Sequence, residues 1–344
     1  MKRLLVILTG GTIASGWDGT GKAPAANASE KLRLSLSDLF QGRDIDIIFR
    51  EPLGHPGIDS SEMSPAEWVK ITNCIAAELK GGLSGVLILH GTDTMANTAA
   101  WLSLCFGSLP IPVVLTGSQL TLDYMPEDVT SNLRGAAMAC CSDLKGTWIY
   151  FNWKLIPADR AHKAHAMHPD AFTAINGQPL FFNPDWALES GRSSGAVVSS
   201  EYLSKETEHV ASLDPQKLKA RCRDISSYFA LPGTKIHLDG RERIICLLGY
   251  GAGNMQPSVL SDLEISFAER PKPIIIACSQ AEGGMKHPEG YDVVGMARLA
   301  KSGFSVWSQI DRSTEFVHSL CCYALAVCPE RPQNVLGRFL RECR

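Results

Sequence analysis

Two short segments carry the side chains best suited to chemistry. Thr9-Gly10-Gly11-Thr12-Ile13-Ala14-Ser15 follows an apolar run at residues 4–8. Adjacent glycines permit a sharp turn and let a bound molecule approach backbone N–H groups closely. Thr12 then stands at the end of a rigid strand. A phosphate-binding loop is the rival reading, but the Gly-Lys-Ser/Thr ending that such a loop needs is missing. His90-Gly91-Thr92-Asp93-Thr94-Met95 follows a second apolar run, 86–89, and sets a hydroxyl beside a carboxylate. Alone, Thr-Asp at a strand end is ordinary turn or helix-capping chemistry. Two hydroxyl-bearing tips in one chain point instead to a site that gathers them.

The elements that must position these tips are readable as well. Apolar runs at 4–8, 86–89, 113–115, 244–248 and 274–277 each give way to Gly, Ser or Thr. Runs without polar alternation are buried on both faces, as in parallel sheets covered by helices. Ligands of such sheets bind beyond the carboxyl ends of the strands. Ser64-Pro65-Ala66-Glu67 has the pattern of a capping box with proline at the first helical position. Trp68, Ile71, Ile75 and Leu79 follow at helical spacing, with Gly81 placed to close the helix. Strand–helix–strand alternation predicts an α/β fold. The stretch 189–210 is rich in Ser, Glu and Gly, so the expected division is a catalytic α/β domain over 1–188, a linker over 189–212 and a second α/β domain over 213–344. Residues 14–29 read as an irregular loop, long enough to serve as a lid.

Bulk properties narrow the class. With 344 residues, 45% of them hydrophobic, the chain is long for one core, which again favours two domains. The net charge of −3 leaves no basic excess to neutralise phosphates, so nucleic acid is not an expected partner. No apolar run reaches the roughly 18 residues of a membrane span. The apolar stretch after Met1-Lys2-Arg3 is shorter than the roughly 7–15 residues of a signal-peptide core, so it reads as a first strand. Eleven cysteines, an odd number without any Cys-x-x-Cys pair, read as free thiols of a reducing cytoplasm.

Thr9 to Ala14 and His90 to Met95 resemble the two signature segments of bacterial-type L-asparaginases. Ile58-Asp59-Ser60-Ser61-Glu62-Met63 resembles the substrate-carboxylate loop of the cytosolic, type I form. Lys163-Ala164-His165-Ala166, with Asp170-Ala171-Phe172, resembles the segment holding the family's catalytic lysine. Gly249-Tyr250-Gly251-Ala252-Gly253-Asn254 resembles the glycine-rich turn of the second domain. The resemblance implies a two-domain fold: a larger N-terminal doubly wound, mainly parallel sheet and a smaller C-terminal α/β domain with a parallel sheet. It implies that Thr12 attacks the side-chain amide of L-asparagine and forms an acyl-enzyme, and that Thr92, Lys163 and Asp93 form a second hydroxyl–lysine–carboxylate set. Asp93 would also pair with the substrate ammonium. Asp59, Ser60, Ser61 and Ser118 would line the substrate, and Asn254 would reach it across a subunit interface of a homodimer or homotetramer. No metal or organic cofactor is implied.

Two departures stand out. The family carries a tyrosine on the lid, whereas this chain has Gly21-Lys22-Ala23-Pro24 there and no tyrosine before Tyr124. Lys22 could replace it, another residue could enter, or the chain could act on D-asparagine, glutamine or another small amide. Asp311 and Glu315 match a type I helix start, but the lysine that follows in the family is absent, so the likeness does not extend to effector binding. A non-catalytic amino-acid sensor or an amidotransferase subunit is the remaining alternative, and the two-domain length argues against an appended partner domain. Other constellations have ordinary readings. His162, His165 and His168 would gather around a metal only on a helix, and Pro169 argues against one. Gly191-Arg192-Ser193-Ser194-Gly195 has nucleophile-elbow spacing but sits in the expected linker. Gly249, Gly251 and Gly253 read as a tight turn, and Ser118-Gln119 as a strand-end turn or a site wall.

Overall fold

Strands that are apolar on both faces pair in parallel and demand helices above and below. The computed structural model describes residues 2–11, 15–17, 22–24, 26–120, 127–185, 197–282 and 294–343. Thr12 and the Gly191 to Gly195 segment lie outside them. The chain divides into two compact units, Met1–Pro215 and Gln216–Arg344.

The first unit is built on β1 (Lys2–Leu8), β2 (Ser15–Trp17), β3 (Lys22–Pro24), β4 (Ile45–Arg50), β5 (Gly85–Leu89), β6 (Pro112–Thr116), β7 (Gly146–Phe151), β8 (Lys154–Pro157), β9 (Ala161–Lys163), β10 (Phe172–Ala174) and β11 (Leu180–Phe181). Seven strands form one sheet in the order β11-β8-β7-β6-β5-β1-β4. Pairing is parallel from β4 through β7, and β8 and β11 add antiparallel at one edge. Every residue of β5 and β6 is buried. The helices are α1 (Ala26–Leu39), α2 (Pro65–Leu79), α3 (Met95–Phe106), α4 (Val129–Cys140) and α5 (Lys205–Ser212). Leu32 and Leu36 of α1 and Leu133 and Ala136 of α4 share one core with Leu4, Val6, Leu8, Leu87 and Val114. On α2 and α3, Trp68 and Trp101 stack with centroids 5.4 Å apart.

Local rules account for α2. Ser64 caps it, its Oγ accepting from the Ala66 N–H at 3.4 Å and donating to Glu67 Oε2 at 2.6 Å. At the other end Gly82, not Gly81, takes the left-handed conformation, with φ +78°. Two sequence expectations give way. Residues 14–29 are not simply irregular: β2 and β3 pair antiparallel, and α1 begins at Ala26. Residues 197–212, placed by composition in a linker, belong to the first unit. Val198 bridges Leu83, and on α5 Thr207, Val210 and Ala211 are buried. No helix gathers His162, His165 and His168, in line with the sequence reading: Ala161–Lys163 is a strand paired with β10.

The second unit holds β12 (Ile225–Phe229), β13 (Ile244–Gly249), β14 (Ile274–Ser279), β15 (Ser305–Ser308) and β16 (Arg341–Glu342), in that order across one sheet. The first four strands run parallel and β16 antiparallel. The helices α6 (Pro215–Arg221), α7 (Pro257–Ser266), α8 (Ala297–Lys301) and α9 (Thr314–Val327) accompany it. Val259, Leu260 and Leu299 pack with Ile245, Leu247 and Ile275 on one face. Ser313 caps α9, accepting from the Phe316 N–H at 3.2 Å. None of the eleven cysteines forms a disulfide, and seven are buried. Among the described residues no helix is long and apolar enough to cross a membrane, and no group of His, Cys, Asp or Glu is arranged to hold a metal.

Candidate active site

Glycines let three chain segments touch backbone to backbone at the carboxyl end of the sheet. Gly10 (φ +102°) lies so close to Ile58 that a Cβ would fall 2.4 Å from the Ile58 carbonyl oxygen. Gly11 (φ +81°) meets Gly91, where a Cβ would fall 2.3 Å from the Gly91 Cα. Gly91 in turn abuts Ser60, whose Oγ would lie 2.4 Å from an added Cβ. Reciprocal hydrogen bonds lock the first contact: Ile58 N–H donates to the Thr9 carbonyl at 2.9 Å, and Gly11 N–H to the Ile58 carbonyl at 3.1 Å. The glycines thus serve approach between strand ends. Thr12, next along the chain from Gly11, lies outside the described residues.

Thr92 and Asp93 occupy the turn between β5 and α3, and Lys163 ends β9. Lys163 Nζ donates to Thr92 Oγ1 at 2.9 Å and to Asp93 Oδ1 at 2.6 Å. Residues far apart in sequence therefore form one hydroxyl–ammonium–carboxylate set, with Thr92 buried and the Asp93 side chain 61% exposed. Asp59 caps a short 3₁₀ turn, its Oδ1 accepting from the Ser61 N–H at 2.8 Å. Ser60 is buried and Ser61 exposed. Ser118, at the end of β6, is buried with no hydrogen-bond partner for its Oγ among the described residues. Asn254 lies in the second unit, where its carbonyl accepts from the Tyr250 N–H at 2.8 Å and its side-chain Oδ1 is buried without a hydrogen-bond partner among the described residues.

Three residues matter to this geometry that motif reading leaves unassigned. Thr94 donates from Oγ1 to the Ser60 carbonyl at 2.6 Å, tying the Asp59–Ser61 turn to the start of α3. Asp128 accepts from the backbone N–H groups of Gln119 and Leu120, both at 2.9 Å, and so fixes the turn after β6. Burial raises its carboxyl from its ordinary value, against the pull of those N–H groups. His90 is wholly buried. The Gly91 carbonyl beside Nδ1 can only accept, so the neutral ring is protonated there and His90 Nε2 accepts from the Thr98 hydroxyl at 2.9 Å, Thr98 Oγ1 in turn accepting from Trp68 Nε1 at 3.0 Å. Nδ1 donates to the Gly91 carbonyl at 2.7 Å, bracing the turn that presents Thr92. No local signal marks His90 or Asp128, because Thr98 and Trp68 around the first and the turn after β6 bound by the second belong to other elements.

Burial pushes His90 down to about 4 from 6.5. As pH falls the unfolded chain takes up that proton first. The stability that His90 contributes is complete above about pH 6.5 and is lost as pH drops through 4, a change of about 3 kcal/mol. Urea unfolding across this range is expected to show a pH slope shallower by that amount in His90→Gln than in the parent. An identical slope contradicts a buried neutral imidazole.

The family model for the N-terminal part of asparaginase matches residues 3–185. An L-asparaginase from Thermococcus kodakarensis is 32% identical over 284 residues, covering 82% of this chain and 82% of that relative. A solved structure of the thermostable L-asparaginase from the same organism superposes with a TM-score of 0.71 at 26% identity, covering 97% of this chain and 96% of the other. A component of the glutamyl-tRNA(Gln) amidotransferase from Methanosphaera stadtmanae is 35% identical over 189 residues, 52% of this chain but only 41% of that relative. The family model spans more than half of the sequence and a relative is matched over most of both chains, so the chain is an enzyme of the asparaginase family.

Proposed function

We propose that the chain hydrolyses the side-chain amide of L-asparagine, giving L-aspartate and ammonia. The observation that carries this reading is the Lys163 ammonium set between Thr92 Oγ1 at 2.9 Å and Asp93 Oδ1 at 2.6 Å, at the end of the sheet where Gly10 and Gly11 meet Ile58 and Gly91. A threonine hydroxyl is a poor nucleophile until a base takes its proton. In this account the Thr12 oxygen attacks the amide carbon and the C–N bond breaks. Ammonia leaves with a proton, and an ester joins Thr12 to the aspartyl group. Water then attacks the ester and the Thr12 hydroxyl is restored. Thr92, Lys163 and Asp93 move and hold the protons of these steps. Asp93 pairs with the substrate ammonium, the Asp59-Ser60-Ser61 turn takes the α-carboxylate, and the buried Ser118 hydroxyl forms a wall of the site. Asn254 of the partner subunit completes the pocket in a homodimer or homotetramer, and the enzyme works in the cytoplasm without metal or organic cofactor. One carboxylate and several neutral donors suit a small zwitterion.

A second reading is favoured by the lid. With Gly21-Lys22-Ala23-Pro24 in place of the family tyrosine, the preferred substrate would be D-asparagine, glutamine or another small amide. Ranking these amides by kcat/KM for ammonia release decides between the two. L-Asparagine ranks first by at least tenfold in the leading reading, and any other amide ranking first by that margin overturns it. The likeness to an amidotransferase component supports a third reading, in which ammonia is passed on to a partner protein. Full steady-state turnover of free L-asparagine by the isolated chain contradicts that one.

A further inference from the structure

We infer that Gln119 is a positioning residue for this chemistry: its carboxamide takes the Thr92 proton in a hydrogen bond and thereby turns the Thr92 lone pairs toward Lys163. The inference rests on the reading of Thr92 as part of the hydrolytic site. The two ends of a carboxamide differ, since the NH₂ only donates and the carbonyl only accepts. Gln119 Nε2 lies 3.2 Å from the His165 carbonyl, 3.0 Å from that of Ala166 and 3.5 Å from that of His168. Backbone carbonyls cannot donate, so the NH₂ end must face this turn; a flipped amide would set carbonyl against carbonyl. Oε1 is left facing Thr92 Oγ1 at 3.3 Å, at the long end for a hydroxyl donor, and can only accept from it. The Lys163 ammonium at 2.9 Å is itself a donor, so it requires a lone pair of the same Thr92 oxygen.

The amide has little freedom to do otherwise. Gln119 is 9% exposed, and its backbone N–H is bound to Asp128 Oδ2 at 2.9 Å. The turn that receives its NH₂ directly follows Lys163, so one side chain sets both the hydroxyl direction and the approach of the strand that carries the ammonium. A hydroxyl rotor without this acceptor samples several staggered directions, and the Thr92 oxygen no longer meets its partners preorganised.

Neutron diffraction from deuterium-exchanged crystals of the parent protein reads the claim directly. Deuterium on the line from Thr92 Oγ1 to Gln119 Oε1 is the expected result, and deuterium on the line to Lys163 Nζ overturns it. Kinetics supply a second test that structural damage alone would not mimic. Gln119→Met is expected to lower kcat roughly 10- to 100-fold with KM within about twofold. In a Thr92→Val background the same substitution should change the residual kcat by less than about twofold, because the hydroxyl it acts through is gone. An equal loss in both backgrounds overturns the inference. A parent protein that releases ammonia from no amide defeats the functional reading instead, while the neutron result still decides the direction of the hydrogen bond.

Discussion

Lys163→Met lowers kcat for ammonia release roughly 10³- to 10⁴-fold in a protein that still folds. Removing a positioned acid–base group costs about 10²–10⁴ in rate, and here the same group also orients a hydroxyl and a carboxylate. Lys163 Nζ hydrogen-bonds both Thr92 Oγ1 and Asp93 Oδ1, so its loss releases the two side chains together. Methionine keeps much of the apolar stem of lysine, which limits packing damage. The lost ion pair contributes little to folding, because the Asp93 side chain is 61% exposed and water screens the charge, leaving under about 1 kcal/mol. Ammonia release and a thermal melt measured on the same preparation check both halves. More than about a tenth of the parent kcat surviving in a folded variant contradicts the role assigned to Lys163.

Gly11→Ala is expected to have the largest effect on stability, about 2–4 kcal/mol, and to reduce activity with it. Two costs add. An alanine at φ +81° is strained by roughly 1 kcal/mol, and its methyl group, 2.3 Å from the Gly91 Cα and 2.4 Å from the Gly91 nitrogen, forces the ends of β1 and β5 apart at about 1–3 kcal/mol. The obstacle is backbone, so no side-chain rotation relieves it. Gly54→Ala supplies the control: φ is +89°, but nothing lies within 4 Å of the added methyl, so only the conformational cost of roughly 1 kcal/mol applies. The same displacement moves Thr92 relative to the chain that leaves β1, and a misplacement of about 1 Å costs ~10²-fold in rate. Urea unfolding of the two variants side by side tests the difference. Equal losses contradict the close approach of the two strand ends.

The parts of this arrangement that the sequence reveals are those that depend on local rules. Residues 4–8, 86–89 and 113–115 read as strands because burial on both faces leaves no polar alternation, and β5 and β6 are buried throughout. Ser64, Pro65 and Glu67 announce the start of α2 because capping involves only near neighbours. Lys163 is recognisable by family resemblance, although its distance to Thr92 is a matter of tertiary structure. Gln119 is opaque because its meaning depends on carbonyls 46 to 49 residues away. His90 is opaque because its Nε2 partner Thr98, and the Trp68 that donates to Thr98, lie on two different helices. The polar stretch 197–212 misleads for a related reason. Helix α5 shows a narrow buried stripe of Thr207, Val210 and Ala211, and its decisive bond, from Thr207 Oγ1 to the Cys105 carbonyl at 2.6 Å, crosses to α3. Composition registers the exposed residues and misses the stripe.

Ammonia release from L-asparagine, measured for the parent and for the Thr12→Ala, Thr92→Ala double variant, tests the central claim most directly. Steady turnover by the parent, and loss of all but a trace in a double variant that still folds, is the result this account predicts. Turnover surviving undiminished without both threonine hydroxyls contradicts it.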